Sequence, residues 1–191
     1  MKIFIAEDNV IIRMTLRMAL EKHGHEILGE AENGKVAVDC LGKLEPDLIL
    51  MDINMPEKDG FTVLEEVCAN RTIPVIIITG YYKVEFIERA NRLGVFAYLM
   101  KPVDENQIIA TIEIAKERFQ EYLIMKEEVK SSKRALEQRK YVERAKGIIM
   151  KHKAITEMEA MKFLQKKSRN NNMKLIEVAK EVIRSEEILG D

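Results

Sequence analysis

The chain has 191 residues, of which 47% are hydrophobic and 33% charged. At roughly 100–200 residues per domain it holds one domain or two small ones, and its composition supports a buried core and excludes a disordered chain. No apolar run reaches the roughly 18–20 residues of a membrane span, and "MKIFIAEDNV" lacks the apolar core and cleavage site of an export signal, so a cytoplasmic protein is expected, with no membrane contact.

The net charge of −1 hides an asymmetry. Residues 1–120 hold 14 Lys and Arg against 20 Asp and Glu, residues 121–133 hold three of each, and residues 134–191 hold 14 against 9. An acidic front and a basic tail indicate two modules with different partners, the basic one being the candidate for a phosphate backbone. Cys40 and Cys68 lie in apolar helical patterns without metal-ligand spacing, as expected of reduced cytosolic thiols.

In chain order, "KIFIA" reads as a buried strand, and Ile11, Ile12, Leu16, Ala19 and Leu20 set a helical period that stops at Gly24. "HEILGEA" is a second strand, and "NGKVAVDCLGKL" a short helix with Asn33 as its N-cap. "PDLILMD" is a third strand, followed by the loop "INMPEKDG" and the helix "FTVLEEVCAN". "PVIIIT" is a fourth strand, "YYKVEFIERANRLG" a helix, and "VFAYLM" a fifth strand ahead of Lys101-Pro102. Short all-apolar strands alternating with helices predict an α/β fold, a five-stranded doubly wound parallel (βα)5 sheet with its site at the carboxyl ends of the strands.

Asp104 and Gln107 then form a capping-box pattern, and no Gly or Pro follows until Gly147, which predicts one very long helix. Ile108, Ile112, Ala115, Phe119 and Tyr122 have 4-3-4-3 spacing, while Met125, Val129 and Leu136 continue in a slipped register. That spacing predicts an interrupted coiled coil and a homodimer. Thr156 and Glu159 make a capping box opening "EMEAMKFLQKKS", "RNNN" breaks the chain, and "KLIEVAKEVIRSEEIL" is an amphipathic last helix. With the end of the long helix these make a small all-α three-helix unit.

Polar residues converge at the strand ends: Glu7 and Asp8 after the first, Asp52 after the third, Thr79 in the fourth and Lys101 after the fifth. Three neighbouring carboxylates repel one another, and Mg²⁺ with oxygen ligands would hold them ionised. Asp52 is then a nucleophile able to form an aspartyl phosphate, Lys101 neutralises phosphoryl oxygens, and Thr79 donates to them.

Residues 1–118 resemble a receiver domain of a two-component response regulator, through "AEDN", "DLILMDINMPEKDG", "IIIITG" and "GVFAYLMKP". The resemblance implies a flavodoxin-like fold, a sensor histidine kinase as partner, and Asp52 as phosphoacceptor. It implies Mg²⁺ surrounded by Glu7, Asp8, Asp52 and the carbonyl of Asn54, with phosphoryl binding by Thr79 and Lys101. It also implies Tyr98 as a switch aromatic that follows Thr79, and a cis Lys101–Pro102 bond. The acidic pair is Glu-Asp where the family pattern has Asp-Asp.

Residues 119–133 are expected to be a helical, coiled-coil-like linker, and residues 134–191 resemble the ANTAR domain of AmiR/NasR-type antitermination regulators, through "AKGIIM", "TEMEA" with "FLQKKS", and "LIEVAKEVI". That resemblance implies binding to hairpins in nascent RNA that keeps a terminator from forming. Arg144, Lys146, Lys151, Lys166, Lys167 and Arg169 are expected at phosphates, and small Ala145 and Gly147 where RNA approaches closely. Gly147 has helix packing as its alternative explanation. Tyr141 and Phe163 are the tail's aromatics, with Phe163 expected on the apolar face. A DNA-binding or protein-binding output is the competing reading. A turnover phosphatase is disfavoured because Asn54 stands where an acid would be needed.

Overall fold

The computed structural model describes residues 1–69, 71–80 and 84–189. The chain divides into two units, Met1–Leu123 and Ile124–Asp191. In the first, β1 (Lys2–Ala6), β2 (Glu26–Ala31), β3 (Leu48–Met51), β4 (Val75–Thr79) and β5 (Ala97–Met100) form one parallel sheet in the order β2-β1-β3-β4-β5. The helices α1 (Val10–Lys22), α2 (Gly34–Leu41), α3 (Gly60–Cys68) and α4 (Val84–Arg92) connect them, and α5 (Glu105–Lys153) follows.

Side chains alternate across a strand, which sorts each apolar run onto two faces. Phe4, Ala6, Ile49, Met51, Val75 and Ile77 meet Ala37 and Leu41 of α2 and Phe61 and Leu64 of α3. Ile3, Ile5, Leu48, Leu50, Ile76 and Ile78 meet Leu16 and Leu20 of α1 and the first turns of α5. Helices cover both faces, so neither face needs the polar residues that a solvated sheet would show.

Local signals set the helix ends. Asn9 caps α1 by accepting from the amides of Ile11 and Ile12, Asn33 caps α2, and Asp59 caps α3. Asp104 and Gln107 exchange side-chain-to-backbone bonds of 2.9 and 3.3 Å at the start of α5. The expected helix starting at Tyr81 is seen from Val84, residues 81–83 lying outside the described residues, as does Asn70 at the expected end of α3.

The 4-3-4-3 run in α5 is not a free coiled-coil seam. Ile108, Ile112 and Ala115 are buried in the second face of the sheet. The rings of Phe119 and Tyr122 stand edge-on to Phe96, at centroid distances of 5.3 and 5.9 Å. A helix lying on a sheet and one lying on another helix need the same apolar stripe, so spacing alone does not separate them. Exposed apolar side chains on α5 include Ile114, Tyr122, Met125, Val129 and Leu136.

In the second unit α5 continues through Gly147 to Lys153, followed by α6 (Glu157–Asn170) and α7 (Leu175–Leu189). Ala145, Ile149, Ala160, Leu164, Val178, Ala179 and Ile183 form its core. Both halves of the Thr156–Glu159 capping box are present. The break expected across "RNNN" comes late: α6 runs to Asn170, and the chain then turns with Asn172 at φ 51°. Among the described residues, no helix is long and apolar enough to cross a membrane.

Candidate functional site

Parallel strands end on one edge of the sheet, so the residues that follow β1, β3 and β5 become neighbours. The backbone carries the register past the strand ends: the amide of Asp52 donates to the carbonyl of Ala6 at 2.8 Å, and that of Lys101 to Thr79 at 2.8 Å. Lys101 Nζ thereby lies 2.6 Å from Glu7 Oε2 and 2.5 Å from Asp52 Oδ2. Glu7 and Asp52 are 1% and 5% exposed, Thr79 is fully buried, and Asp8 is open to solvent. One carboxylate oxygen from each of Glu7, Asp8 and Asp52 lies within 4.8 Å of the others. The exposed Asn54 donates its amide to Asp52 Oδ1 at 3.1 Å.

Burial pushes the Glu7 carboxyl above the usual carboxylate range, against the pull of Lys101. Burial also pulls the Lys101 ammonium down, but its bonds to Asp52 and Glu7 outweigh that and hold it above its ordinary value. The ammonium is therefore charged at neutral pH and pairs with two carboxylates, beside which Asp8 adds a third. That excess of negative oxygen, already gathered, fits a hard divalent cation.

Two neighbours of this site carry no signal in the sequence. Arg13 Nη1 donates to the carbonyl of Glu7 at 2.6 Å, tying α1 to the acidic pair. Gly60 lies so close behind Asp52 that a Cβ there would meet the Asp52 carbonyl oxygen at 2.2 Å. Tyr98 lies on β5 opposite Ile77 and is half-buried against the first core face. The Lys101–Pro102 bond is cis.

The tail places its expected contact residues unevenly. Ala145 is fully buried in the core. Lys146 is turned inward, its side chain 9% exposed and its ammonium 2.8 Å from Glu143 and 2.6 Å from Glu157, so it presents no cation to an external phosphate. Two carboxylates within reach, one of them eleven residues along the chain, capture a cation that the helical pattern had put among the solvated ones. Gly147 is exposed, and nothing lies within 4 Å of the place a Cβ would occupy, so helix packing does not explain it. Arg144, Lys151, Lys166 and Arg169 are exposed, and Lys167 pairs with Glu181 at 3.3 Å.

Phe163 is not on the apolar face. It is 37% exposed, with Lys153 Nζ 5.0 Å from its ring centroid. Tyr141 is 40% exposed, with Lys180 Nζ 5.0 Å from its ring centroid. Tyr141 and Arg144 of α5 and Lys180, Ile183 and Arg184 of α7 line a cleft of about 290 Å³. Lys180 and Arg184 have no sequence signal as a pair with Tyr141, because only the packing of α7 on α5 brings them there.

The response regulator receiver domain family matches residues 3–113, and the ANTAR domain family matches residues 131–183. The transcriptional regulatory protein PdtaR of Mycobacterium tuberculosis is 37% identical over 182 residues, covering 95% of this chain and 89% of the relative. The transcriptional regulatory protein YdfI of Bacillus subtilis is 36% identical over 115 residues, covering 60% of this chain and 54% of that one. The signal receiver domain of a modulated diguanylate cyclase from Desulfovibrio desulfuricans G20 superimposes with a TM-score of 0.58 at 36% identity, covering 62% of this chain and 95% of that domain. With an acidic cluster and a lysine at the strand ends of a parallel sheet, a receiver domain match followed by an ANTAR domain match, and a transcriptional regulatory protein similar over nearly its whole length, the chain belongs to the response regulators that join a receiver domain to an ANTAR output domain.

Proposed function

We propose that Asp52 accepts a phosphoryl group from a sensor histidine kinase, and that the ANTAR domain then acts on transcription by binding hairpins in nascent RNA. The observation that carries the first half is the Lys101 ammonium set between Glu7 and Asp52 at the strand ends. An Asp52 carboxylate oxygen attacks phosphorus, the bond from phosphorus to the donor breaks, and the donor leaves with that electron pair. Lys101 neutralises a phosphoryl oxygen and the Thr79 hydroxyl donates to another. Glu7, Asp8, Asp52 and the carbonyl of Asn54 would hold Mg²⁺, which when bound screens the incoming phosphate from the carboxylates. Asn54 is not an acid, so the acyl phosphate persists and the chain works as a switch without turnover.

Movement of Thr79 toward the phosphoryl group vacates space that Tyr98 enters, which repacks the surface beside β5. Residues 119–133 act as a helical linker, and the exposed Tyr122, Met125, Val129 and Leu136 support self-association there. Phosphorylation shifts a monomer–dimer equilibrium, and two ANTAR domains held together bind paired RNA elements more tightly through effective concentration.

Intact-mass measurement after incubation with acetyl phosphate and Mg²⁺ tests the first half. One added phosphoryl group is expected, and equal labelling of Asp52→Asn would overturn the assignment. Sedimentation with and without beryllofluoride tests the association. RNA recovered with the full-length protein, compared against duplex DNA, tests the output and separates it from a DNA-binding regulator.

A further inference from the structure

The geometry points to Arg13 as a positioning residue for the metal site: its guanidinium fixes the peptide between Glu7 and Asp8, and with it the place of the Asp8 carboxylate beside Glu7 and Asp52. This inference rests on the metal and phosphorylation reading above and adds a residue to it.

Two loops carry the site, and they are held in different ways. The loop after β3 is tied by main-chain bonds: the Gly60 amide donates to the carbonyl of Ile53 at 2.8 Å, the Lys58 amide to Pro56 at 2.8 Å, and the Gly34 amide of α2 to Pro56 at 3.2 Å. The loop after β1 joins the sheet through the Glu7 amide, which donates to Ala31 at 3.0 Å. The bonds at Glu7 that follow each involve a side chain. Glu7 Oε1 accepts from the Asn9 amide at 3.3 Å, Glu7 Oε2 from Lys101 at 2.6 Å, and the Glu7 carbonyl from Arg13 Nη1 at 2.6 Å. The Glu7 carboxylate is thus pinned through both oxygens. Asp8 is open to solvent, so the peptide that precedes it sets where its carboxylate stands.

Helical geometry explains how a residue six positions along reaches that peptide. Asn9 caps α1 and Arg13 ends its first turn. Long side chains on a helix lean toward its N-terminus. Arg13 therefore extends back past the cap, half-buried, to a carbonyl one residue beyond the end of β1. The bond is short and its donor is a cation, the stronger class of hydrogen bond. Groups that bind a ligand residue, and not the metal itself, orient the ligands and typically carry a roughly tenfold to hundredfold share of metal affinity.

Charge works in the other direction. A guanidinium beside a cation site repels the cation, so its removal would by itself tighten Mg²⁺ binding. The sign of the change therefore separates positioning from electrostatics.

The test is a calorimetric titration of the full-length protein with MgCl₂. Arg13→Met keeps the apolar stem and removes the donor, and it should raise the Mg²⁺ dissociation constant roughly tenfold. Phosphorylation by acetyl phosphate should then need about tenfold more Mg²⁺ for half its maximal rate, while the rate at saturating Mg²⁺ stays within about twofold of wild type. Arg13→Lys keeps a cationic donor and should fall between the two. Arg17→Gln is the control. Arg17 lies one turn further along α1 and pairs with Glu30, so its loss removes a charge of the same helix and should leave the dissociation constant unchanged.

If the wild-type protein binds no Mg²⁺, the metal reading falls and this inference with it. If wild type binds Mg²⁺ and a folded Arg13→Met protein binds it as tightly or more tightly, the positioning role is overturned while the metal reading stands. Should Arg13→Met fail to fold, Arg13→Lys decides: a raised dissociation constant in the folded protein supports the role, and an unchanged one overturns it.

Discussion

Lys101 Nζ lies 2.5 Å from Asp52 Oδ2, so the proposed phosphoacceptor is already paired with the cation proposed to hold its phosphate. The same ammonium serves Glu7, and among the described residues it is the cation that both carboxylates share. Lys101→Gln should therefore cost about 2 kcal/mol, less than the ~3–5 kcal/mol of a fully buried pair because water reaches the lysine. Magnesium should restore part of that loss by replacing the missing charge. Urea unfolding with and without MgCl₂ measures both effects, and identical curves in the two conditions would mean that the acidic cluster holds no cation.

Gly60→Ala tests the backbone behind the site. The new Cβ would start 2.2 Å from the Asp52 carbonyl oxygen and 3.0 Å from Met51 Cγ. Either α3 or the end of β3 must move, at a cost of about 1–3 kcal/mol. Because the displaced atom belongs to Asp52, phosphorylation by acetyl phosphate should slow as well. A stability loss with an unchanged labelling rate would show that α3 alone absorbs the shift.

Gly147→Ala should move stability and binding in opposite directions. A glycine inside an exposed helix costs roughly 0.5–1 kcal/mol relative to alanine, and nothing around it resists a methyl group. The variant should melt higher while binding looped RNA more weakly. Higher melting with unchanged affinity would detach this glycine from recognition.

Acid should loosen the second unit at the start of α6. The hydrogen bond from Lys146 holds the Glu157 carboxyl below its ordinary value of 4.5, and bonds from the Thr156 backbone and side chain hold Glu159 below it. Both groups bind protons less tightly folded than unfolded. Their contribution is complete above the ordinary value and is lost as pH falls through it toward the depressed folded values. Circular dichroism melts at pH 7 and pH 4 should show that loss, and Thr156→Ala should shrink it while lowering stability by about 1 kcal/mol at pH 7. An equal pH dependence in wild type and Thr156→Ala would assign the acid sensitivity to other carboxylates.

Strand runs such as "LILM" and "VIIIT" are legible because a sheet covered on both faces allows no polar interruption, and the polar residues after them show where the sheet stops. Glu7, Asp52 and Lys101 could therefore be brought together from their places in the chain alone. Lys146 could not be read, since helical spacing gives a cation's direction but not the carboxylate that Glu157 presents eleven residues later. Ile108 and Ile112 kept their apolar character but changed partner, from a second helix to the protein's own sheet. The basic cleft was invisible for a similar reason: Tyr141 and Lys180 are 39 residues apart, and no period in either helix points to the other.

The seven-residue core of the ANTAR domain contains three alanines and no ring. Such a core removes little apolar surface from water, and folding stability follows that surface. Heat should therefore empty the folded output domain before the receiver, whose sheet is packed on both sides. A ligand that binds only the folded form raises its stability, by about 2.7 kcal/mol at a hundred times its dissociation constant. The RNA target would then act as a folding partner as well as a cargo, and the regulator would lose its voice at high temperature first in cells where the transcript is scarce.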